Sequence, residues 1–342
     1  MNPTNGANPV KETIHSHSRS VLDMRTIPDM LQSEFEQLHA KFKTVSTLHL
    51  TELQTEINGW QRDGIITKKF YEQNYSQFVF HPPSTLTNAH SIIVIGIPQK
   101  ITNIAFFHQG KRYQTIIPPT YIYTKIRAIC KEILSTILSK QGYSVERAIL
   151  PMKLLGVRSG LGKYGKNNLC YVDGMGSYTR LEAFYTDYEF PIDNWCEKEL
   201  MKSCTSCSLC QHACPTQCIP QDRLLIHADH CLTYFNENEG DFPPSIPVQS
   251  HNALIGCMRC QIVCPANKKY FEFNQNTVTF TEEEIACILQ KTPRENLPQT
   301  LAKKLVDLDI YEDYLELPRN FAVLMAKENS ENSSTHQTDL SM

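Results

Sequence analysis

Thirteen cysteines stand in a chain of 342 residues, and eight of them have a spacing that could do chemistry. The segment CTSCSLCQHACP places Cys204, Cys207, Cys210 and Cys214 as C-x2-C-x2-C-x3-C-P. Further on, CMRCQIVCP supplies Cys257, Cys260 and Cys264, again ending in Cys-Pro, and Cys231 stands alone between the two runs. Three thiolates separated by two residues on a tight loop can grip three corners of an iron–sulfur cubane, while the fourth, followed by Pro215, points to a different cluster. One such run therefore demands a second set, and the eight thiolates are the complement of two 4Fe-4S clusters. The most economical assignment gives Cys204, Cys207, Cys210 and the distant Cys264 to one cluster, and Cys214, Cys231, Cys257 and Cys260 to the other. Two zinc sites are the alternative, because C-x2-C pairs also have zinc-knuckle spacing. Against that, the triple run with a crossing fourth cysteine would leave its ligands misaligned around a single tetrahedral ion.

Cys130, Cys170, Cys196, Cys218 and Cys287 fall outside this count. Cys130 lies on an expected helix and Cys170 in an expected strand, where a thiol reads as a small buried hydrophobe. Cys218, four residues after Cys214, is surplus to the eight.

The rest of the composition is ordinary. Hydrophobic content of 41% and charged content of 20% argue against wholesale disorder. With 33 Lys+Arg against 36 Asp+Glu the net charge is −3, which excludes a general nucleic-acid coat or polybasic membrane binder. The longest strongly apolar run, Ile92 to Pro98, is far short of the ~20 residues that span a bilayer. The N-terminal segment has no apolar core with a cleavage site, so a soluble cytoplasmic protein is expected. In that compartment thiols stay reduced, and the cysteines cannot be a disulfide framework.

The elements that must position the thiols read as mixed α/β. A helix is expected over about Met30–Phe42, a strand at Ser91–Ile97 and a strong helix over about Tyr121–Lys140. In the last, Ile122, Ile126, Ile129, Ile133 and Ile137 fall on one face and read as a core stripe. Pro118-Pro119 and Gly142 bracket it. Strand-like runs at Asn168–Val172 and Leu181–Thr186 flank the turn DGMGS and suggest a hairpin-like pair. From Cys204 to about Lys269 regular patterning disappears. Two short helices follow, in TEEEIACILQK and PQTLAKKLVDL, the first opening on a Thr281/Glu284 capping box. Five segments result: a disordered tail over 1–25, an α/β domain over 26–195, a double-cluster domain over 196–275, a helical segment over 276–328 and a second disordered tail over 329–342.

The double-cluster segment takes about 70 of the 342 residues, leaving roughly 200 upstream to hold an acceptor or substrate. Within them, Gly160, Gly162 and Gly165 form G-x-G-x-x-G. A dinucleotide fingerprint needs a preceding strand and a following helix; here the glycines follow a helical stretch and lead into a strand. From Pro151 to Arg180 the five cations Lys153, Arg158, Lys163, Lys166 and Arg180 face one anion, Asp173. Glycine-rich backbone with Lys and Arg suits close approach to a large polar or anionic ligand; a solvated basic loop is the plainer alternative.

Taken together, SGLGKYGKNNL and the later CxxCxxCxxxCP…C…GCxxCxxxCP resemble the epoxyqueuosine reductases and their reductive-dehalogenase relatives. The resemblance covers about Thr87 to Lys269, plus the pair Arg319-Asn320. It implies an α/β (α+β) architecture, with a nitroreductase-like cobalamin-binding domain followed by a two-cluster ferredoxin domain. It further implies base-off cobalamin fed by the nearer cluster, a soluble electron donor of the ferredoxin or flavodoxin type, no membrane, and a modified tRNA anticodon base as substrate. Gly160, Gly162, Lys163, Gly165, Lys166, Asn167, Ser177 and Arg180 are the cofactor-binding residues it suggests. The family's proton-donating Asp lies 14 residues before the first Gly of GLG in a D-[ST]-x-P context, and the same count here reaches Glu146, inside SVERAILP. A carboxyl is retained without its motif. Either burial raises its pKa and it serves as a general acid, or it is a surface carboxylate beside Arg147. Tyr121, in PPTYIY, is a second candidate for proton donation or cofactor stacking, against an ordinary structural tyrosine.

The reading that follows is an iron–sulfur oxidoreductase passing electrons through two clusters to a corrinoid or substrate in the α/β domain. The departure at Glu146 leaves room for a divergent member with another substrate. The competing class is a ferredoxin-like electron-transfer protein without cobalamin that reduces a partner. For tRNA, the segment Cys196–Tyr270 carries 6 Lys+Arg against 7 Asp+Glu, so phosphate contacts would have to come from the Pro151–Arg180 loop.

Overall fold

A computed structural model describes the backbone of residues 25–338. Residues 1–24 of the expected N-terminal tail and 339–342 of the expected C-terminal tail lie outside the described residues. In chain order the elements are α1 (Ile27–Gln37), β1 (Lys41–Ser46), α2 (Leu50–Arg62), α3 (Lys68–Asn74), β2 (Ser91–Pro98), β3 (Thr102–His108), β4 (Lys111–Ile117), α4 (Thr124–Ser139), β5 (Val145–Arg147) and α5 (Met152–Arg158). Then come β6 (Gly162–Tyr164), β7 (Cys170–Val172), β8 (Thr179–Thr186), α6 (Leu209–Ala213), α7 (Leu232–Glu237), α8 (Arg259–Ile262), β9 (Val278–Phe280), α9 (Glu282–Leu289), α10 (Gln299–Asp307) and α11 (Leu317–Thr338).

The central sheet has strand order β1-β2-β8-β5 and every pairing in it is antiparallel. Strand β2, SIIVIGIP, is buried along almost its whole length because both faces of the sheet are covered. Side chains alternate along a strand, so Ile93, Ile95 and Ile97 pack with α1 and α4 on one side. Ile92 and Val94 meet residues of α2 and α5 on the other. Glu182 of β8 is buried at 3% exposure and is held by Arg127 of α4 (3.0 Å) and Arg180 (2.9 Å).

A second sheet, β4-β3-β9, begins with a tight hairpin whose turn residues Gln109 and Gly110 both have positive φ (52° and 72°). Such a turn matches the twist of the flanking strands. After the cysteine segment the chain returns, and β9 pairs parallel with β3. Phe106, Phe280 and Phe321 then meet edge to face in a core closed by α9, α10 and α11. The expected capping box forms: Thr281 Oγ1 accepts from the Glu284 amide (3.2 Å) while the Glu284 carboxylate accepts from the Thr281 amide (2.9 Å).

Several expectations are corrected. The first helix stops at Gln37 because His39 takes a left-handed φ of 53°, and Phe42 belongs to β1. Helix α4 starts at Thr124, so Ile122 precedes it; its buried face runs through Cys130, Leu134, Ile137 and Leu138, while Ile129 is 40% exposed. The expected hairpin between Asn168–Val172 and Leu181–Thr186 does not form. Strand β7 pairs with β6, and β8 is taken by the central sheet, where burial on both faces rewards its apolar run. The C-terminal tail expected from residue 329 is helical through Thr338, since a helix anchored by Phe321, Leu324 and Met325 propagates past its last buried residue.

Two truncations in α4 separate the buried face from the isoleucine stripe. Leu134→Ala, at 0% exposure, should cost about 2–5 kcal/mol. Ile129→Ala should stay within about 0.5 kcal/mol of the parent, both read as shifts in the unfolding midpoint.

Candidate iron–sulfur centres and the adjoining cleft

Irregular backbone carries the thiols. Cys204 closes a short 3-10 turn, Cys210 sits in α6, Cys214 and Cys231 cap α6 and α7, and Cys260 sits in α8. Cys207 and Cys264 lie close enough to Cys204 and Cys210 that their charge, added to burial, disfavours ionisation of the Cys204 and Cys210 thiols. Burial is the larger cause and pushes the Cys210 thiol up to about 11. Lys166 reaches across from the β6–β7 hairpin and donates to the Cys207 carbonyl (2.9 Å), pinning this loop to the α/β part.

Cys214, Cys231, Cys257 and Cys260 line a small cavity of about 40 Å³, together with Cys218 and Asn167. Asn252 Nδ2 donates to Cys257 Sγ (3.2 Å), and Asn167, which donates to the Tyr171 hydroxyl (3.0 Å), lies on the cavity wall. Hydrogen bonding from Cys218 is the main cause that lowers the Cys214 thiol. Two neighbourhoods of thiols, one of them lining a small cavity with the Asn252 amide aimed at Cys257 sulfur, suit iron–sulfur clusters. By contrast Cys130 and Cys170 are buried, their thiols pushed up to about 12 chiefly by burial. Cys196 is exposed and Cys287 half-buried.

The cysteine segment is fastened to the sheet by buried amides. Asn267 Oδ1 accepts from the Ser177 amide (2.8 Å), Asn267 Nδ2 donates to Ser177 Oγ (2.8 Å), and Ser177 Oγ donates to Gln261 Oε1 (2.9 Å). The Arg319-Asn320 pair works from α11. Arg319 donates to the Phe235 carbonyl (2.7 Å), and Asn320 donates to the carbonyls of Asn236 and Leu254 (3.0 Å each), so both ends of the second thiol set are held.

Beside the second thiol set lies a cleft of two adjoining cavities, about 390 and 340 Å³, which share Met152 and Lys153 from the start of α5. Cys257 and Gln261 form part of the first cavity's wall, with Tyr121, Ser177 and Arg180. The second is walled by Trp60, Phe70, Tyr75 and Phe78. A larger open groove of about 710 Å³, near Lys100 and Lys303, shares no lining residue with either.

Tyr121 lies over the loop that carries Cys257. Gly256 there has φ +69°, and a Cβ on it would run into the Tyr121 ring, 2.6 Å from Cζ. The Tyr121 hydroxyl donates to Glu237 Oε1 of α7. Burial first, then Asp313 and Cys231, push the Glu237 carboxyl up to about 7, while Tyr121 and Lys153 pull the other way. Lys153 is exposed on the cleft wall, where desolvation by the surrounding protein lowers its ammonium pKa against the pull of Cys231 and Glu237.

Of the candidate cofactor-binding residues, Ser177 and Arg180 line the cleft. Gly162 and Gly165 instead allow close packing within the β6–β7 hairpin, where added Cβ atoms would sit 2.6 Å from Cys170 Sγ and 2.5 Å from the Tyr171 ring. Gly160 lies near Cys196. Lys163 pairs with Glu199 (2.5 Å), and Asn167 faces the second thiol set. Glu146, on β5, is 38% exposed, lies 3.6 Å from Lys131, and lines neither cavity of the cleft. The expected basic loop is largely neutralised: Arg158 meets Glu52, Glu56 and Glu197, and Arg180 meets Glu182. Glu237 escaped sequence reasoning because its only sequence signal is a position in the short helix after Cys231.

With this geometry in place, comparison with known proteins is informative. The family model for a 4Fe-4S double cluster binding domain matches residues 203–267, the stretch that holds both thiol sets. The epoxyqueuosine reductase of Bacillus anthracis is 29% identical over 202 residues, 55% of this chain and 51% of that protein. The chain spans about half the length of the first curated relatives it matches. An epoxyqueuosine reductase structure from Streptococcus thermophilus superposes with a TM-score of 0.62 at 18% identity, covering 91% of this chain and 84% of that one. An epoxyqueuosine reductase bound to an epoxyqueuosine-modified tRNA-Tyr stem loop gives 0.61 at 18% identity, covering 88% and 81%. The chain is thus a mixed helix-and-sheet protein with a double-cluster iron–sulfur segment. In sequence and fold it is epoxyqueuosine reductase-like.

The thiol grouping has a direct check. Cys264→Ser should damage the cluster of Cys204, Cys207 and Cys210 and spare the other. Iron content should fall by about half, with one of two EPR signals lost.

Proposed function

We propose that this chain is an iron–sulfur oxidoreductase that reduces a substrate in the cleft beside its second cluster. The observation that carries the reading is Cys257, a member of the second thiol set that also forms part of the cleft wall. The crossed sets order the centres: Cys204, Cys207, Cys210 and Cys264 would hold the outer cluster, and Cys214, Cys231, Cys257 and Cys260 the one next to the cleft. A soluble donor of the ferredoxin or flavodoxin type would supply the electrons. No helix among the described residues is long and apolar enough to cross a membrane.

The cleft also suits a corrinoid. It joins an aromatic half to a polar half, and the buried Asn168 Nδ2 on its wall has no partner within the described residues. Ser177, Arg180, Asn168 and Lys153 would hold the ring's polar rim, with Met152 and the aromatic wall against its apolar faces. When bound, a corrinoid supplies a low-potential cobalt centre able to deliver two electrons.

Tyr121 and Glu237 manage the proton. Removing an epoxide oxygen as water takes two electrons and two protons; once Glu237 is protonated and donates to the Tyr121 oxygen, the Tyr121 hydroxyl is free to give one proton to the cleft, and solvent water gives the other. Glu237, hydrogen-bonded behind it, resupplies the phenol and is protonated below about pH 7. The relatives' substrate makes an epoxyqueuosine-modified tRNA-Tyr stem loop the first compound to test. Because the Pro151–Arg180 cations are mostly paired internally, tRNA contacts would have to use other surfaces.

Anaerobic reconstitution with iron, sulfide and cobalamin should yield about eight irons and one tightly held corrinoid per chain, read by metal analysis and the visible spectrum. Eight irons without retained corrinoid would refute the corrinoid and leave an electron carrier or a cobalt-free reductase. On the modified stem loop, Tyr121→Phe should slow turnover by about 100-fold or more. Wild-type activity should fall as pH rises through about 7, where Glu237 loses its proton, and Glu237→Gln should remove that limb of the profile. An unchanged limb would clear Glu237 of the role.

A further inference from the structure

Cys218 lies outside both sets of four thiols, yet the structure places it against one of them. Its sulfur is 3.5 Å from Cys214 Sγ, and it lines the same small cavity as Cys231, Cys257 and Cys260. The side chain is 2% exposed. Local backbone accounts for the placement. After Cys214 ends α6, Gln217 takes a left-handed φ of 52° and turns the chain back. The Cys218 carbonyl then accepts from the His227 amide (2.8 Å), which fixes the residue in place. Ile219 and Ile226 pack around the thiols, so the S–H is offered to sulfur in apolar surroundings.

We propose that Cys218 is not a ligand but a hydrogen-bond donor to the second cluster, its S–H directed at the sulfur of Cys214, and that it raises that cluster's reduction potential. The physical reason is charge. A cluster held by four thiolates becomes more negative on reduction, and a donor aimed at a ligand sulfur stabilises the more negative state more strongly. An alanine in this position would fill the apolar pocket equally well and leave the sulfur without the donor. Within the reading above, the effect falls on the cluster next to the cleft and makes it the better acceptor for electrons arriving from the outer one. The inference rests on the assignment of two iron–sulfur clusters.

The experiment is an EPR-monitored redox titration of full-length protein, reconstituted with iron and sulfide, as wild type, Cys218→Ala and Cys218→Ser. Cys218→Ala should keep the wild-type iron content and both signals, with one midpoint moved to more negative potential and the other unmoved. Cys218→Ser, whose hydroxyl donates from the same place, should keep the midpoint close to wild type. Unchanged midpoints in Cys218→Ala would overturn the proposal and reduce Cys218 to packing. Loss of one cluster's iron in that variant would overturn it differently, by making Cys218 a ligand. A wild-type protein that takes up zinc and shows no iron–sulfur signal would remove the cluster assignment itself, and is distinguishable from both.

Discussion

Eight thiols have to be held in two fixed constellations by a segment with little regular structure of its own. Helices α6, α7 and α8 are each only a turn or so long, and short helices are not self-supporting in water. Their positions are imposed from outside, through polar contacts that are buried and therefore specific in geometry. Asn267 and Gln261 lock onto Ser177 beside the central sheet, Lys166 reaches over to the Cys207 loop, and Arg319 with Asn320 reaches in from the last helix. The α/β framework therefore acts as the mould in which the cysteine segment sets.

This dependence explains why the cleft lies where it does. The contacts that hold the second thiol set in place, Ser177 on one side and the Tyr121–Gly256 packing on the other, are themselves part of the cleft or next to it. Cofactor scaffold and reaction space share walls. The glycines of the β6–β7 hairpin serve the same end. They let that hairpin fold tightly upon itself, so that Lys166 and Asn167 at its tip reach the two thiol sets.

Much of the chemistry was legible in the chain because cysteine spacing is a local, geometric signal. The crossing of Cys264 to the first set and of Cys214 to the second is expected from reach along a tight loop; in the structure Cys264 lies near Cys204 and Cys210, and Cys214, Cys231, Cys257 and Cys260 line one cavity. The capped helix at Thr281 was legible for the same reason. Tertiary competition was not. Leu181–Thr186 looks like a hairpin partner for Asn168–Val172 until the central sheet is known to claim it, and the face that α4 buries was decided by its neighbours, leaving Ile129 outside. Charge was misleading in a related way: Arg158 reads as part of a ligand-facing patch, but its carboxylate partner Glu56 comes from another element that no local count reveals. Tyr121 was visible as a candidate, whereas its partner Glu237, 116 residues away, could be found only in three dimensions.

The parallel pairing of β9 with β3 has a consequence for how the protein comes to be. Between those strands the chain runs from His108 to Val278, through much of the central sheet and the whole cysteine segment, and its ends meet only when the last helices arrive to complete the core of Phe106, Phe280 and Phe321. The entropy of closing so long a loop grows only slowly with its length, so the topology is tolerable at equilibrium. Its effect is on order of events, because contacts so distant in sequence form late. During synthesis the cysteines emerge well before the residues that close the second sheet and before Arg319 and Asn320, which steady the second thiol set. The nascent chain thus passes through an interval in which its thiols are out and their mould is incomplete.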